Sequence, residues 1–549
     1  MQRPTLAKRV WLLFPLATVA FYFYGLNHLP FIGPDEPRYA EVAREMLMRG
    51  DPVTPTLGGH RWFEKPALLY WIVMSGFAAF GVSEWAARFG MACAGLLTSL
   101  VIYWLGRRTF GRADPSGAES RGAALWSAAA LASSAGMIGF SRGVNYDILL
   151  ALTLTATLAC FFVSELEGDV RRRRWWLAGF YAATGASLLA KGLVGIVLPS
   201  GIIAAYFLLR RECPHRLARQ SLLWGVPLAL AVAAIWYVPV LLKHGWPFID
   251  QFFIQHHFQR FASNKYHHPQ RFYYYVPILL MFAFPWTACL ATALVSGVRR
   301  VTLPCAQGDV ARLRVFALAW CLVPVLFFTF SQSKLPGYIL PALPGAALLV
   351  GDQLVRFLRG EGGKVTMCLT GALLLALGIG VLIYVARTGY LQTSCAIIIA
   401  APLVVAGALV LFLARTARAR IVLTASAVFI TVGLTIHCAA GRLGESESAH
   451  NLLQQADARG YASAPVYHMY TMEYTTVYYA AGRLAYEADG EPVRYEGAAQ
   501  VAEAAERHGG AILVLIHSGY EQQLTEYKRI QTEVVGDNGT VTLVAVRPK

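Results

Sequence analysis

Charge is scarce in this sequence: 15% of its residues are Asp, Glu, Lys or Arg against 56% hydrophobic ones, with a mean hydropathy of +0.47. Apolar mass with so few charges to solvate it excludes an ordinary water-soluble domain. Acidic residues are the scarcer sign, 32 against 48 basic. No glycine-rich phosphate loop is found, which argues against a nucleotide as donor or cofactor. Cysteine is missing from the segments read below as outward-facing: Cys93, Cys160, Cys213, Cys289, Cys305, Cys321, Cys368, Cys395 and Cys438 fall in apolar runs or basic connections. That excludes a disulfide framework and a Cys-x-x-Cys metal site. The first apolar run has no small-residue cleavage site, so it reads as a retained helix rather than a removed signal.

What is abundant is apolar sequence in lengths near the about 20 residues that cross a bilayer as a helix. Thirteen such runs occur, near 9–28, 86–106, 122–140, 147–165, 175–190, 193–209, 222–242, 273–295, 313–330, 338–357, 365–386, 395–414 and 420–439. The run 67–82 is short and flanked by Pro66 and Glu84, and reads as interfacial or re-entrant. Alternate connections then collect the arginines, among them Arg107, Arg108, Arg112 and Arg121, the run Arg171 to Arg174, Arg210, Arg211, Arg216 and Arg219, and Arg415, Arg418 and Arg420. By the positive-inside rule these are cytoplasmic, which puts the N-terminus inside and residues 441–549 outside. The net charge of +16 is largely this topology signal and does not argue for a nucleic-acid partner. Two domains are expected: a membrane domain, 1–440, with outer loops at 29–85 and 243–272, and a soluble periplasmic α/β domain, 441–549. In the latter, helical patterns at 447–459 and 498–508 alternate with β-type runs at 465–470, 475–479, 511–516 and 540–546.

Chemically loaded residues crowd the outward connections. Asp35-Glu36-Pro37-Arg38-Tyr39 opens an amphipathic pattern suited to a helix on the membrane surface. Asp35 is either its N-cap or, with Glu36, a carboxylate pair able to act as base or to stabilise a cationic sugar centre. In Phe63-Glu64-Lys65-Pro66 the lysine either snorkels or binds an anion. Loop 243–272 gathers His256, His257, Arg260 and further cations among aromatic rings that suit an interfacial belt, a combination fitted to the phosphate of a membrane lipid. Lys191 adds a cation on this face, and Lys334 to Tyr338 a cation and a phenol. Asp147 stands at the outer mouth of a run, either as a helix cap paired with Arg142 or as a functional acid. Glu64, His257 and His256 are the donors that could hold Zn²⁺ or another divalent ion.

Taken together, Asp-Glu-x-Arg-Tyr-Ala-Glu, Phe-Glu-Lys-Pro, His-Phe-Gln-Arg-Phe and Lys-Leu-Pro-Gly-Tyr-Ile-Leu-Pro resemble the membrane-embedded GT-C glycosyltransferases, and within them the ArnT-like transferases of 4-amino-4-deoxy-L-arabinose to lipid A. The resemblance implies a GT-C fold of about thirteen transmembrane helices. It implies catalytic acids at Asp35, Asp147 and Glu36, and a carrier-phosphate site at Lys65, Arg260, Tyr338 and Arg38. A metal is implied at Glu64 with His257 or His256. Pro37 departs from the Thr frequent in such relatives, and the doubled histidine from a single one. Implied partners are an undecaprenyl-phosphate-linked sugar, lipid A and the bilayer, with the chain a monomer in the bacterial inner membrane. A transferase on the outer face has no nucleotide sugar to use, so a lipid-linked donor and one inverting displacement are expected. A polyprenyl-phosphate-mannose-dependent protein O-mannosyltransferase and a lipid flippase are the competing readings; a flippase would place its ionisable residues nearer the midplane.

Overall fold

The computed structural model describes residues 6–113, 118–259, 270–301, 308–488 and 490–549, with side chains left out at 6–14, 111–113, 118–121, 256–259 and 299–301. The chain forms two compact units. One comprises residues 1–24, 64–69 and 88–435, the other 25–63, 70–87 and 436–549. Residues 25–63 and 70–87 thus share a unit with the tail, while the Glu64-Lys65-Pro66 segment belongs with the helices.

The first unit is a bundle of apolar helices. Its early members are α1 (Leu6–Phe23), α4 (Glu84–Ala113), α5 (Ala118–Ala132), α6 (Ala135–Phe140), α7 (Tyr146–Leu166), α8 (Val170–Lys191), α9 (Val194–Arg210) and α10 (Arg216–His244), the intervening α2 (Asp35–Arg49) and α3 (Leu68–Phe80) lying wholly or mainly in the second unit. Among the described residues eight helices are long and apolar enough to cross a membrane, or nine if Tyr275–Phe282 and Thr287–Val298, bent by 119°, make one span. The chain is a multi-pass membrane protein, but the thirteen spans expected are not all found at spanning length. The run 122–140 is cut in two where Ser133 and Ser134 turn their hydroxyls onto the carbonyls of Ala129 and Leu131, and where the Ala135 amide leaves the helix ladder for the Phe284 carbonyl at 2.8 Å. The helix over 193–209 has 17 residues. Helix α3, with 13 residues, rises about 20 Å, short of a hydrocarbon core of about 30 Å. The rings of loop 243–272 include core residues as well as any belt: Phe248 and Phe252 are buried, stacked on each other at 5.3 Å and set edge-on to Trp236.

In the second unit α2 buries Tyr39, Ala40, Val42, Ala43 and Met46 and ends on Gly50, whose φ of 62° lets its amide reach the Leu47 carbonyl. The following hairpin, β1 (Thr56–Leu57) and β2 (His60–Arg61), is clamped by the Glu45 carboxylate, which accepts from the Thr56 hydroxyl and from the Gly58 and Gly59 amides at 2.6 and 3.2 Å. The tail adds a mixed sheet in the order β4-β3-β5-β7-β6, from β3 (Val466–Met469), β4 (Arg494–Tyr495), β5 (Ile512–His517), β6 (Ile530–Asp537) and β7 (Val541–Pro548). Central β5 pairs parallel to β3 and antiparallel to β7, and its Ile512 to Ile516 are all buried, as the unbroken apolar run requires. Helix 498–508 forms where expected and packs Val501 and Ala505 on this sheet. Residues 475–479 are a helical turn rather than the expected strand. The Glu473 carboxylate accepts from the Thr475 amide and hydroxyl at 3.1 and 2.7 Å, and these local bonds override the alternating pattern.

His468 in β3 is fully buried, with Nε2 3.2 Å from the Thr476 hydroxyl, and burial pushes its pKa down to about 4. Its neutral form is the one that folds. The stability it contributes is present above the ordinary value of about 6.5 and is lost as pH falls toward about 4, a span worth about 3 kcal/mol. Thermal unfolding of the purified protein, followed by circular dichroism, should show the tail's transition fall across that window, and His468→Gln should flatten this part of the pH dependence.

Candidate functional site

Within the first unit four segments distant in sequence meet at the start of α7. Asn145 is the N-cap, accepting from the Ile148 amide at 3.0 Å, and this sets the first turn so that Tyr146 and Asp147 project from it. The Tyr146 hydroxyl donates to the Pro66 carbonyl at 3.1 Å, which ties the Glu64-Lys65-Pro66 segment to α7. Asp147 is therefore not the cap, and its partner is not Arg142: Arg142 donates to the Phe21 and Tyr24 carbonyls, and the Asp147 carboxylate is ion-paired with Lys191 at the end of α8. Both members of that pair are mostly buried, at 17% and 13% exposure.

The Lys191 ammonium also lies 4.8 Å from the centre of the Tyr338 ring, a cation–π contact that partly replaces lost hydration. Tyr338 is held from behind by Phe328 at 5.0 Å. It enters because Gly337 has no side chain: a Cβ there would collide with the Asp147 carboxylate and with the Phe140 ring. The Tyr275 hydroxyl is buried within electrostatic range of Tyr338 and Asp147. Lys334 turns instead to the Ser331 carbonyl at 2.6 Å.

Lys65 and Glu64 form an ion pair at 3.0 Å, both nearly buried. Arg260 and the side chains of His256 and His257 lie outside the described residues. Of the expected metal donors, then, only Glu64 has a described side chain, and a lysine engages it. Among the described residues no group of three or more His, Cys, Asp or Glu is placed to hold a metal.

In the second unit Asp35 begins α2, but Pro34 occupies the cap position and no side chain caps the helix. Asp35 is half-exposed and accepts from Arg38 at 2.7 Å, one turn on; Glu36 shares this first turn. Arg38 also donates to the Pro34 carbonyl at 2.7 Å and lies between the rings of Trp62 and Tyr474, 5.6 and 5.2 Å from their centres. The tail thus fixes the arginine that fixes the acid. One turn further, Glu41 is buried and pairs with Arg44 at 2.5 Å; burial raises its pKa to about 7, and Arg44 opposes that rise. Arg44 in turn sits 4.6 Å over the Tyr478 ring. Sequence reading missed Trp62 and Tyr474, because an aromatic by itself carries no signal of the cation it will face.

With this geometry in view, residues 13–296 match the model of the dolichyl-phosphate-mannose-protein mannosyltransferase family. The chain belongs to that family. Among proteins similar to it, the undecaprenyl phosphate-alpha-4-amino-4-deoxy-L-arabinose arabinosyl transferase of Aeromonas salmonicida is 32% identical over 63% of this chain, and that of Pseudomonas aeruginosa 34% identical over 70%. The matches span 60% and 66% of those proteins' own lengths. The crystal structure of ArnT from Cupriavidus metallidurans bound to undecaprenyl phosphate superposes with a TM-score of 0.78, at 25% identity, covering 97% of this chain and 98% of that one. The fold is that of the GT-C membrane glycosyltransferases.

The buried pair is open to a direct check. Asp147→Asn strands the Lys191 charge and should lower stability by about 3 kcal/mol or more, whereas Asp147→Asn combined with Lys191→Met should recover most of that loss. Thermal unfolding of these two variants and of Lys191→Met alone, in lipid nanodiscs, measures the coupling, and additive losses would show that the two side chains do not depend on each other.

Proposed function

We propose that this chain is an inverting glycosyltransferase of the bacterial inner membrane that moves 4-amino-4-deoxy-L-arabinose from undecaprenyl phosphate to a phosphate of lipid A on the periplasmic face. The observation that carries this reading is the cluster at the motif-bearing end of the spans. There Lys191, Asp147 and Tyr338 meet beside the fastened Lys65 segment, in a chain resembling along nearly its whole length a structure bound to undecaprenyl phosphate. The relatives' names supply the sugar and its carrier. The N-terminus is cytoplasmic, the tail periplasmic and the protein a monomer in this proposal.

The chemistry is a single displacement. An oxygen of the acceptor phosphate attacks the anomeric carbon, the bond from that carbon to the carrier phosphate breaks, and its electron pair leaves on undecaprenyl phosphate. The carrier passes from a phosphodiester to a monoester and gains negative charge, so cations that strengthen their hold as it forms lower the barrier. Lys65, Arg260 and Lys191 supply them, with the Tyr338 hydroxyl as a donor. The acceptor phosphate is already ionised and needs no general base. Asp35 and Glu36 therefore serve the positive charge developing on the sugar and orient its amino group, Arg38 holds Asp35 as well as favouring the anionic carrier, and Asp147 holds Lys191 until the carrier's phosphate competes for it. A divalent ion at Glu64 with His256 and His257 belongs to the proposal as a binding expectation and carries no step of it. The family model's description favours one alternative, mannose transfer to a protein hydroxyl, for which Asp35 would have to act as base.

Lipid A from a polymyxin-sensitive host that makes the lipid-linked aminoarabinose but lacks its own transferase should gain the mass of one aminoarabinose residue when this chain is expressed. Asp35→Asn should abolish the gain while leaving expression and thermal stability near wild type. Unmodified lipid A with folded protein, together with a newly glycosylated protein in the same cells, would transfer the reading to the protein acceptor.

A further inference from the structure

The arginine-rich end of the bundle holds a second feature that the transfer reaction does not use. Between the first turns of α8 and α10 opens a groove of about 940 Å³. Its floor is Leu177 and Ser221, and it is closed below where α8 and α10 come together. There Tyr181 lies flat on Gly225, with no room for a Cβ, and shares a 3.0 Å hydrogen bond with Ser221. Trp175 and Trp224, 70% and 40% exposed, form the rims.

The mouth carries Arg171 and Arg174, three residues apart and so on one face of α8. Neither forms an ion pair among the described residues. The neighbouring groups are committed elsewhere. Arg173 is drawn away by the Ser164 and Glu167 carbonyls and by His215 at 3.0 Å. The carboxylate at the mouth, Asp169, caps α8 by accepting from the Arg172 amide at 2.7 Å.

We propose that this groove binds an anionic phospholipid, its phosphate held by Arg171 and Arg174 and its upper acyl chains lying along Leu177 and the two tryptophans. Several observations select this occupant. The 22 residues of α8 rise about 33 Å from this end to Lys191, so the mouth lies at the opposite membrane boundary, where Trp is enriched and acyl chains are at hand. Basic pockets between helices at the inner leaflet are suited to anionic headgroups. A zwitterionic headgroup brings its own ammonium to the two guanidinium groups and cancels the attraction. Free phosphate would satisfy the arginines but leave the apolar floor and the tryptophan rims in water.

Native mass spectrometry of the purified full chain, titrated with phosphatidylglycerol, cardiolipin and phosphatidylethanolamine of matched acyl chains, tests the assignment. One anionic lipid per chain should be retained about tenfold more tightly than phosphatidylethanolamine. Arg171→Gln with Arg174→Gln should erase that preference, while Arg172→Gln, which removes a positive charge from the same turn of α8 but not from the groove's lining, should keep it. Trp224→Ala should weaken retention with both arginines in place, which protects the test should the double variant be poorly folded. Equal retention of phosphatidylethanolamine by the wild type, an anionic preference surviving the double variant, or displacement of the lipid by millimolar inorganic phosphate would each overturn the proposal.

Discussion

A charged side chain at the edge of hydrocarbon must have a partner, and the pairing of Lys191 with Asp147 is the constraint around which the bundle's motif-bearing end is arranged. To reach each other the two need α7 capped at Asn145 rather than at the acid, a glycine at 337 so that the 336–342 turn can close over the carboxylate, and an aromatic face at 338 for the ammonium. The Tyr146–Pro66 hydrogen bond then brings a second lysine to the same end. Each cation here already has an internal anion, Lys191 on Asp147 and Lys65 on Glu64. In the proposed reaction that is a resting state with its charges balanced, in which each ammonium stays neutralised until an incoming lipid phosphate competes with its carboxylate.

The second unit solves a different problem, since its acid is half in water and has no hydrocarbon to confine it. Asp35 is confined through Arg38, Arg38 through Trp62 and Tyr474, and the base of α2 through Arg44 on Tyr478. The tail thereby gains a role as the scaffold of helix α2. The arrangement also explains why Glu41 tolerates burial: Arg44 offsets part of the desolvation that raises its pKa.

Much of this was legible in the chain. Apolar runs placed most of the long helices, because a membrane helix needs no tertiary information to be recognisable, and β5 stood out by its short unbroken apolar run and helix 498–508 by its period. The acids and cations that converge were visible as charges where charge is costly. Their pairing was not: Arg142 is the nearer cation to Asp147 in sequence, and only the α7–α8 packing brings Lys191 instead. Within the expected run 122–140, side-chain hydroxyls and a stray backbone bond interrupt the helix without leaving a polar gap in the sequence. The strand expected at 475–479 failed because Glu473 and Thr475 offer the backbone nearer partners. Strand β6, with its polar edge composition, carried too little apolar alternation to be read.

In the proposed reaction the cation held by Asp147 receives the carrier's phosphate, and this is measured most directly by the affinity of purified protein in nanodiscs for undecaprenyl phosphate, wild type against Lys191→Met. Loss of a buried charge-assisted contact to phosphate should weaken binding at least about tenfold, with undecaprenol, which lacks the phosphate, bound equally by both. Unchanged affinity for undecaprenyl phosphate in a folded Lys191→Met protein would contradict the account and leave the Lys191–Asp147 pair a purely structural bolt.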